Sequence, residues 1–217
     1  MIEAVVFDLD GVLLDTEELW NEARLQIVDE RGGRWREDAQ RAMMGMSSQE
    51  WSPYMHEELG VPDPPEQISA EVVRRLEELY RERLPLIPGA LDAVRRLAAR
   101  WPLAIASSSN RPIIDLFLEL TGTAELFGAT VSSEEVERGK PTPDVYVEAA
   151  RRLEVDPTRC AAIEDSENGI RSAAAAGMKV IAIPNHVFPP SDEALSLAAV
   201  AVASLDELQP ELVESLS

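Results

Sequence analysis

The chain has 217 residues, 45% of them hydrophobic, and 20 Lys and Arg against 40 Asp and Glu give a formal net charge of −20. This length and apolar content support one full α/β domain plus a small second unit. The negative field argues against nucleic acid or an anionic membrane surface as a partner. An anionic substrate would need local positive charge from a metal, a Lys or helix N-termini.

The lone Cys160 leaves no intramolecular disulfide and fits a reducing compartment; because it opens an apolar strand, it is expected in the core. No apolar run reaches the ~18 residues of a membrane span, and the N-terminus enters a strand without a basic leader. A cytoplasmic protein is therefore expected, and a monomer, since no long apolar stripe is left unassigned.

The first stretch, Ala4-Val5-Val6-Phe7-Asp8-Leu9-Asp10-Gly11-Val12, reads as a strand buried on both faces that runs into two carboxylates. In a parallel sheet that edge is where ligands bind. Asp8 and Asp10 are like charges close together, which a hard divalent cation with oxygen ligands would compensate. A plain Asp-x-Asp-Gly turn at a strand end is the competing reading.

From Thr16 to Arg83 the character turns helical and charged. Helices are expected over 17–30, 37–44, 49–59 and 69–84, with Ser69 as the N-cap of the last. Gly32, Gly33, Gly45 and the Pro62 to Pro65 region separate them. This is a small helical bundle inserted after the first strand. Trp20, Met43, Met44, Met46 and Trp51 read mostly as its core, with Trp20 and Met46 as candidates for a pocket lining.

Beyond Leu86-Ile87-Pro88-Gly89 a helix over 90–100 leads into α/β alternation. Strands are expected at 103–106, 128–131, 161–163 and 180–183, and an edge strand at 199–202. Helices are expected at 112–120, 143–153 and 166–176, with a terminal helix over 205–216.

Three of these strands are followed by residues suited to one chemistry. Ser107-Ser108-Ser109-Asn110-Arg111 precedes a helix start, so hydroxyls and free N–H groups there suit phosphate. Ser109 or Asn110 would also cap that helix, and Arg111 either adds charge to the bound group or serves the surface. Gly139-Lys140-Pro141-Thr142-Pro143-Asp144 is not a nucleotide P-loop: Glu134 stands where its first Gly would be, and Pro141 follows the Lys. Prolines on both sides of Thr142 hold Lys140 in a set direction. Glu164-Asp165 is a second carboxylate pair, and two such pairs at adjacent strand ends can share one Mg²⁺. Asp165 and Ser166 as ordinary helix caps form the alternative. His56 and His186 have no zinc or triad spacing and are expected to be exposed.

Taken in this order, Asp8-Leu9-Asp10-Gly11, Ser107, Lys140 and Glu164-Asp165 resemble the haloacid dehalogenase superfamily. Asp15-Thr16 and Gly139-Lys140-Pro141-x-Pro143-Asp144 resemble its β-phosphoglucomutase and phosphatase branch. The resemblance implies a three-layer, Rossmann-like parallel-sheet core at 1–14 and 85–217, with a helical cap at 15–84. It also implies a Mg²⁺-dependent phosphatase for a small-molecule phosphate ester, working through a phosphoaspartyl intermediate. Asp8 would be the nucleophile and Asp10 the acid and base. Mg²⁺ would be bound by Asp8, the Asp10 carbonyl and Asp165, with Glu164 reaching it directly or through water. Phosphate would be held by Ser107 and Lys140, with Ser108, Asn110 and Arg111 around it. Thr16, Trp20, Met46 and Ser47 are the cap-side candidates.

Two positions depart from the mutases. Trp20 stands where those resemble His, and in Gly45-Met46-Ser47-Ser48 a Ser replaces the phosphate-clamping Arg. A phosphatase needs neither group. A sugar-phosphate mutase and a catalytically silent binding protein on the same fold are the rival readings.

Overall fold

The computed structural model describes residues 1–216. Six strands, β1 (Ala4–Phe7), β2 (Leu103–Ser107), β3 (Phe127–Ser132), β4 (Cys160–Glu164), β5 (Lys179–Ala182) and β6 (Val200–Ala201), form one sheet in the order β3-β2-β1-β4-β5-β6. Every pairing is parallel. The chain builds outward from β1 through β2 to β3, then crosses back to β4 on the other side. The order thus reverses between β1 and β4, where an open α/β sheet leaves a crevice at its carboxyl edge.

The two faces of the sheet differ in side-chain size. Val5, Phe7, Ile105, Ile163 and Ile181 point into one core, where Phe7 meets Phe127 edge to face. Ala4, Val6, Ala104, Ala106, Ala162 and Ala182 point into the other. Small residues there let α7 (Asp144–Arg152) and α8 (Glu167–Ala175) lie close to the sheet. Cys160 is buried in that second core, which pushes its thiol pKa up to about 11.

Four helices, α1 (Glu17–Glu30), α2 (Ala39–Met43), α3 (Ser48–Glu57) and α4 (Pro65–Glu82), stand between β1 and α5 (Ala90–Ala98). Trp20, Ile27, Trp51, Met55, Val72, Leu76 and Tyr80 fill their interior. The two connecting strands of chain run side by side. Leu14 bridges Leu86 in antiparallel fashion, the Asp15 N–H donates to the Pro85 carbonyl at 2.8 Å, and the Ile87 N–H donates to Leu13 at 3.0 Å.

Elsewhere the expected elements shift at their ends. α4 begins a turn before Ser69, because Pro65 sits at its first position, where proline's fixed φ suits a helix and its missing N–H is no loss. The expected helix over 205–216 is divided into a 3₁₀ turn, Leu205–Glu207, and α10 (Pro210–Ser215), since Pro210 cannot continue a helix from the preceding turn. The remaining helices are α6 (Arg111–Thr121) and α9 (Asp192–Leu195). Among the described residues no helix is long and apolar enough to cross a membrane.

Candidate active site

At the carboxyl ends of β1 and β4 the chain brings Asp8, Lys140, Glu164 and Asp165 together, each almost fully buried. Lys140 Nζ lies 2.9 Å from Asp8 Oδ1 and 2.6 Å from Glu164 Oε1. Glu164 Oε1 also accepts from the Tyr146 hydroxyl at 2.6 Å, and Oε2 from the Asp165 N–H at 3.1 Å and the Ser166 hydroxyl at 3.2 Å. Glu164 is thus fully engaged in orienting Lys140 and the first turn before α8. A Cβ on Gly169 would overlap the Glu164 carboxylate, and one on Gly11 would overlap that of Asp165. Gly11 also has φ +84°, so both carboxylates sit where only glycine leaves room.

Three buried carboxylates face a single ammonium. Burial, then the Glu164 charge, push Asp8 up to about 7 against the pull of Lys140. Burial, with Glu164 and Asp8, likewise holds Asp165 well above the usual carboxylate range. Burial alone would lower the Lys140 pKa, but the Asp8 and Glu164 charges more than offset it and raise it. Asp165 Oδ2 accepts from the Asn185 amide at 3.3 Å, whereas its buried Oδ1 has no partner. Oxygens of Asp8, Glu164 and Asp165 lie within 4.8 Å of one another. An excess of buried negative charge and an orphaned carboxylate oxygen fit a hard divalent cation.

Asp10 faces the other way, toward the inserted helices. Its Oδ1 accepts from the Thr16 hydroxyl at 2.6 Å and the Trp20 indole at 3.2 Å. Its Oδ2 accepts from the Ser109 hydroxyl at 2.5 Å and has the Ser107 hydroxyl at 3.5 Å. Donors from both parts of the molecule therefore fix one carboxylate. A cleft of about 420 Å³ opens beside it, bordered by Asp8, Asp10, Ser108, Lys140 and Asp165 on the sheet side and by Glu17, Arg41, Met44 and Gly45 on the helical side.

The expected phosphate contacts separate into two groups. Ser108 borders the cleft with a buried hydroxyl that has no partner. Ser107 is fully buried and its hydroxyl accepts the Ser109 N–H at 2.9 Å. Asn110 and Arg111 do not reach the cleft. Asn110 donates to Glu134 at 2.8 Å and to Ser69 at 3.3 Å. The Arg111 guanidinium turns to Glu135, Asp115 and Thr130, and its N–H donates to Glu134. Acceptors on β3 and the turn after it compete more strongly for these donors than an open cleft does. On the helical side Thr16 and Trp20 hold Asp10 and Met46 lines a smaller cavity beside it. Ser47 instead forms a capping box with Glu50 at the start of α3. Both histidines are exposed, as their spacing suggested.

Tyr146, Asn185 and Arg24 also shape the site and were not singled out from the sequence, and Ser109, expected there as a helix cap, instead gives its hydroxyl to Asp10. Tyr146 lies on α7, six residues beyond Lys140. Arg24 carries the plainest signal: it interrupts the apolar face of α1 formed by Trp20, Ala23 and Ile27.

Residues 2–177 match the haloacid dehalogenase-like hydrolase family. A phosphorylated carbohydrates phosphatase of Thermotoga maritima is 32% identical over 216 residues, covering 99% of this chain and 100% of that protein. Hexitol phosphatase B of Escherichia coli is 33% identical over 213 residues, covering 95% and 94%. Among solved structures, CbbY of Rhodobacter sphaeroides in complex with phosphate superposes with a TM-score of 0.84 at 29% identity, covering 96% of each chain. With the two carboxylate pairs and the lysine assembled at the reversal point of the sheet, and a family match over most of its length, this chain belongs to the haloacid dehalogenase-like hydrolases.

Proposed function

We propose that the protein hydrolyses the phosphomonoester of a small phosphorylated metabolite, a sugar phosphate or similar, through a phosphoaspartyl intermediate. The observation that carries this is the division of labour between two carboxylates one residue apart. Asp8 is paired with a buried lysine at the base of the cleft, and Asp10 is clamped by hydroxyl and indole donors at its side.

In this reading an Asp8 oxygen attacks phosphorus while Asp10 delivers its proton to the departing alcohol oxygen. Asp10 then takes a proton from the water that attacks the aspartyl phosphate, returning Asp8 as a carboxylate and releasing phosphate. Lys140 and the free Ser108 hydroxyl, with Ser107 behind it, neutralise and orient the transferred oxygens, and Glu164 and Tyr146 hold Lys140 in place. Asp8, the Asp10 carbonyl and Asp165 would hold Mg²⁺, which when bound supplies Lewis-acid polarisation of the phosphoryl group. Glu164 stands behind this set, its oxygens already engaged.

Residues 15–84 act as the cap, with the paired linkers around Leu14 and Leu86 as the hinge, closing over substrate and excluding water. The protein works as a cytoplasmic monomer on a free metabolite. A mutase gains no support from this site: Trp20 is committed to Asp10, and Ser48 gives its hydroxyl to Glu134 at 2.6 Å.

The test is inorganic phosphate release from a panel of phosphate esters, with and without Mg²⁺, in the parent and in Asp8→Asn. Metal-dependent release that the substitution abolishes is the expected result. Isomerisation of a hexose 1-phosphate without net release would replace this reading with the mutase.

A further inference from the structure

Arg24 is a cation held in the interior without a polar partner. It is 7% exposed, and its guanidinium lies 4.7 Å from the Trp20 ring centre and 4.9 Å from that of Trp51. The two indoles meet edge to face at 6.0 Å. No nitrogen of Arg24 has a hydrogen bond or an ion pair among the described residues, and its Nε is sealed and orphaned. Cation–π contact with the two indoles compensates some of the charge but satisfies none of the five N–H donors. A buried group of this kind is costly unless an acceptor arrives.

The place where an acceptor can arrive is the cavity of about 60 Å³ that Arg24 lines together with Asp10, Thr16, Glu17, Ser108 and Ser109. In the proposed reaction Asp10 meets the leaving oxygen, so the adjoining space receives the carbons that follow it. Glu17 lines the same cavity and the larger cleft. Like Arg24, its carboxylate has no hydrogen bond or ion pair among the described residues. Burial, then Asp10, raise the Glu17 pKa, while burial lowers that of Arg24 to about 10 with Glu17 and Asp10 opposing.

We infer that Arg24 and Glu17 determine specificity by reading hydroxyl groups next to the phosphoester carbon of the leaving alcohol. Arg24 donates a hydrogen bond to the hydroxyl oxygen, and the hydroxyl donates one to the Glu17 carboxylate. An uncharged polyol suits this wall better than a second anion, for two reasons. The space beyond Asp10 is small, and the Asp10 and Glu17 carboxylates would repel a further negative charge. A hydroxyl is both acceptor and donor, so it satisfies the two idle groups at once.

The inference rests on the phosphatase reading, and the experiment separates the two. Values of kcat/KM are compared for glycerol 3-phosphate, n-propyl phosphate and 3-phosphoglycerate in the parent, Arg24→Met, Arg24→Lys and Glu17→Gln, with p-nitrophenyl phosphate as a generic ester. The parent is expected to prefer glycerol 3-phosphate over n-propyl phosphate by at least about tenfold. Arg24→Met should collapse that ratio toward one, whereas Arg24→Lys and Glu17→Gln, which keep a donor and a neutral acceptor, should lower it and keep part of it. If Arg24→Met does not fold, the half-buried Glu17→Gln carries the test.

An equal rate on both esters in the parent, or an undiminished ratio in the variants, overturns the inference. So does a preference for 3-phosphoglycerate lost in Arg24→Met, which would make Arg24 an anion receptor. No release from any ester, the generic one included, fails the phosphatase reading instead. The hydroxyl preference is then read from Kd values by tryptophan fluorescence, and equal Kd values for the two esters overturn it.

Discussion

Two clusters of polar groups beside the cleft are held in opposite ways. On the sheet side, Lys140, Glu164 and Tyr146 bond to one another, and each Glu164 oxygen is engaged. On the helical side, Arg24 is buried against the smaller cavity and Glu17 is half-buried where that cavity meets the cleft, and neither has a hydrogen bond or an ion pair among the described residues. A saturated network locks its members in one geometry before substrate arrives, which is what positioning a nucleophile against phosphorus requires. An unsaturated pair is costly alone and is relieved by the right ligand, which is what selecting a leaving group requires. The contrast divides chemistry from choice along the line between sheet and cap.

The sheet wall can be broken most severely at Lys140. Lys140→Met leaves buried carboxylates without their counter-charge, so urea unfolding in metal-free buffer should show a loss of about 3–5 kcal/mol. Phosphate release should fall by about a thousandfold or more at saturating ester, since the group is proposed to act on the transferred phosphoryl group. A variant as stable as the parent would show that the network is not the rigid element claimed.

A smaller break comes at Tyr146. Tyr146→Phe removes one donor to Glu164 and leaves the ring over Lys140, whose Nζ lies 5.0 Å from its centre. A hydrogen bond to a charged acceptor is worth about 1.5–3 kcal/mol. Denaturant titration should recover a loss of that size, with kcat lowered and KM little changed.

The smallest effect sharpens the boundary of the site. Arg111 is half-buried away from the cleft, where it pairs with Asp115 and Glu135 and donates to Thr130, so Arg111→Met should cost about 1–1.5 kcal/mol of stability. It should also leave kcat/KM for any active ester within about twofold. A tenfold loss would return Arg111 to the phosphate site.

Much of the sheet wall could be read in the sequence because backbone topology places it. Apolar strands ending in Asp8, Glu164 or Ser107 set those residues at one edge whatever their rotamers, and Gly11 marks the turn that makes room for Asp165. What the sequence could not show was direction. Ser107, Ser108, Asn110 and Arg111 are consecutive or nearly so, yet one borders the cleft, one is buried beneath it, and two turn to Glu134 and Glu135. That choice depends on acceptors contributed by a strand end more than twenty residues away.

Helix ends were misread for a related reason. Ser69 is a good cap by type, but Pro65 starts α4 first. The cap side was the least legible. Its pocket joins α1, the turn after α2 and the start of α3, and no spacing rule brings Arg24, Met46 and Trp51 together. The charged residue on an apolar helical face was the one available sign.

The central claim is that Asp8 carries the phosphoryl group between two half-reactions that Asp10 serves. The most direct measurement is an acid quench of Asp10→Asn during turnover of p-nitrophenyl phosphate with Mg²⁺, followed by peptide mass mapping. This ester needs little help from an acid, so the first step proceeds while the second is slowed. The account predicts an acid-stable, base-labile phosphoryl adduct on the peptide that contains Asp8, absent from the Asp8→Asn, Asp10→Asn double variant. Phosphate release at the parent rate with no adduct, or an adduct on another residue, would contradict it.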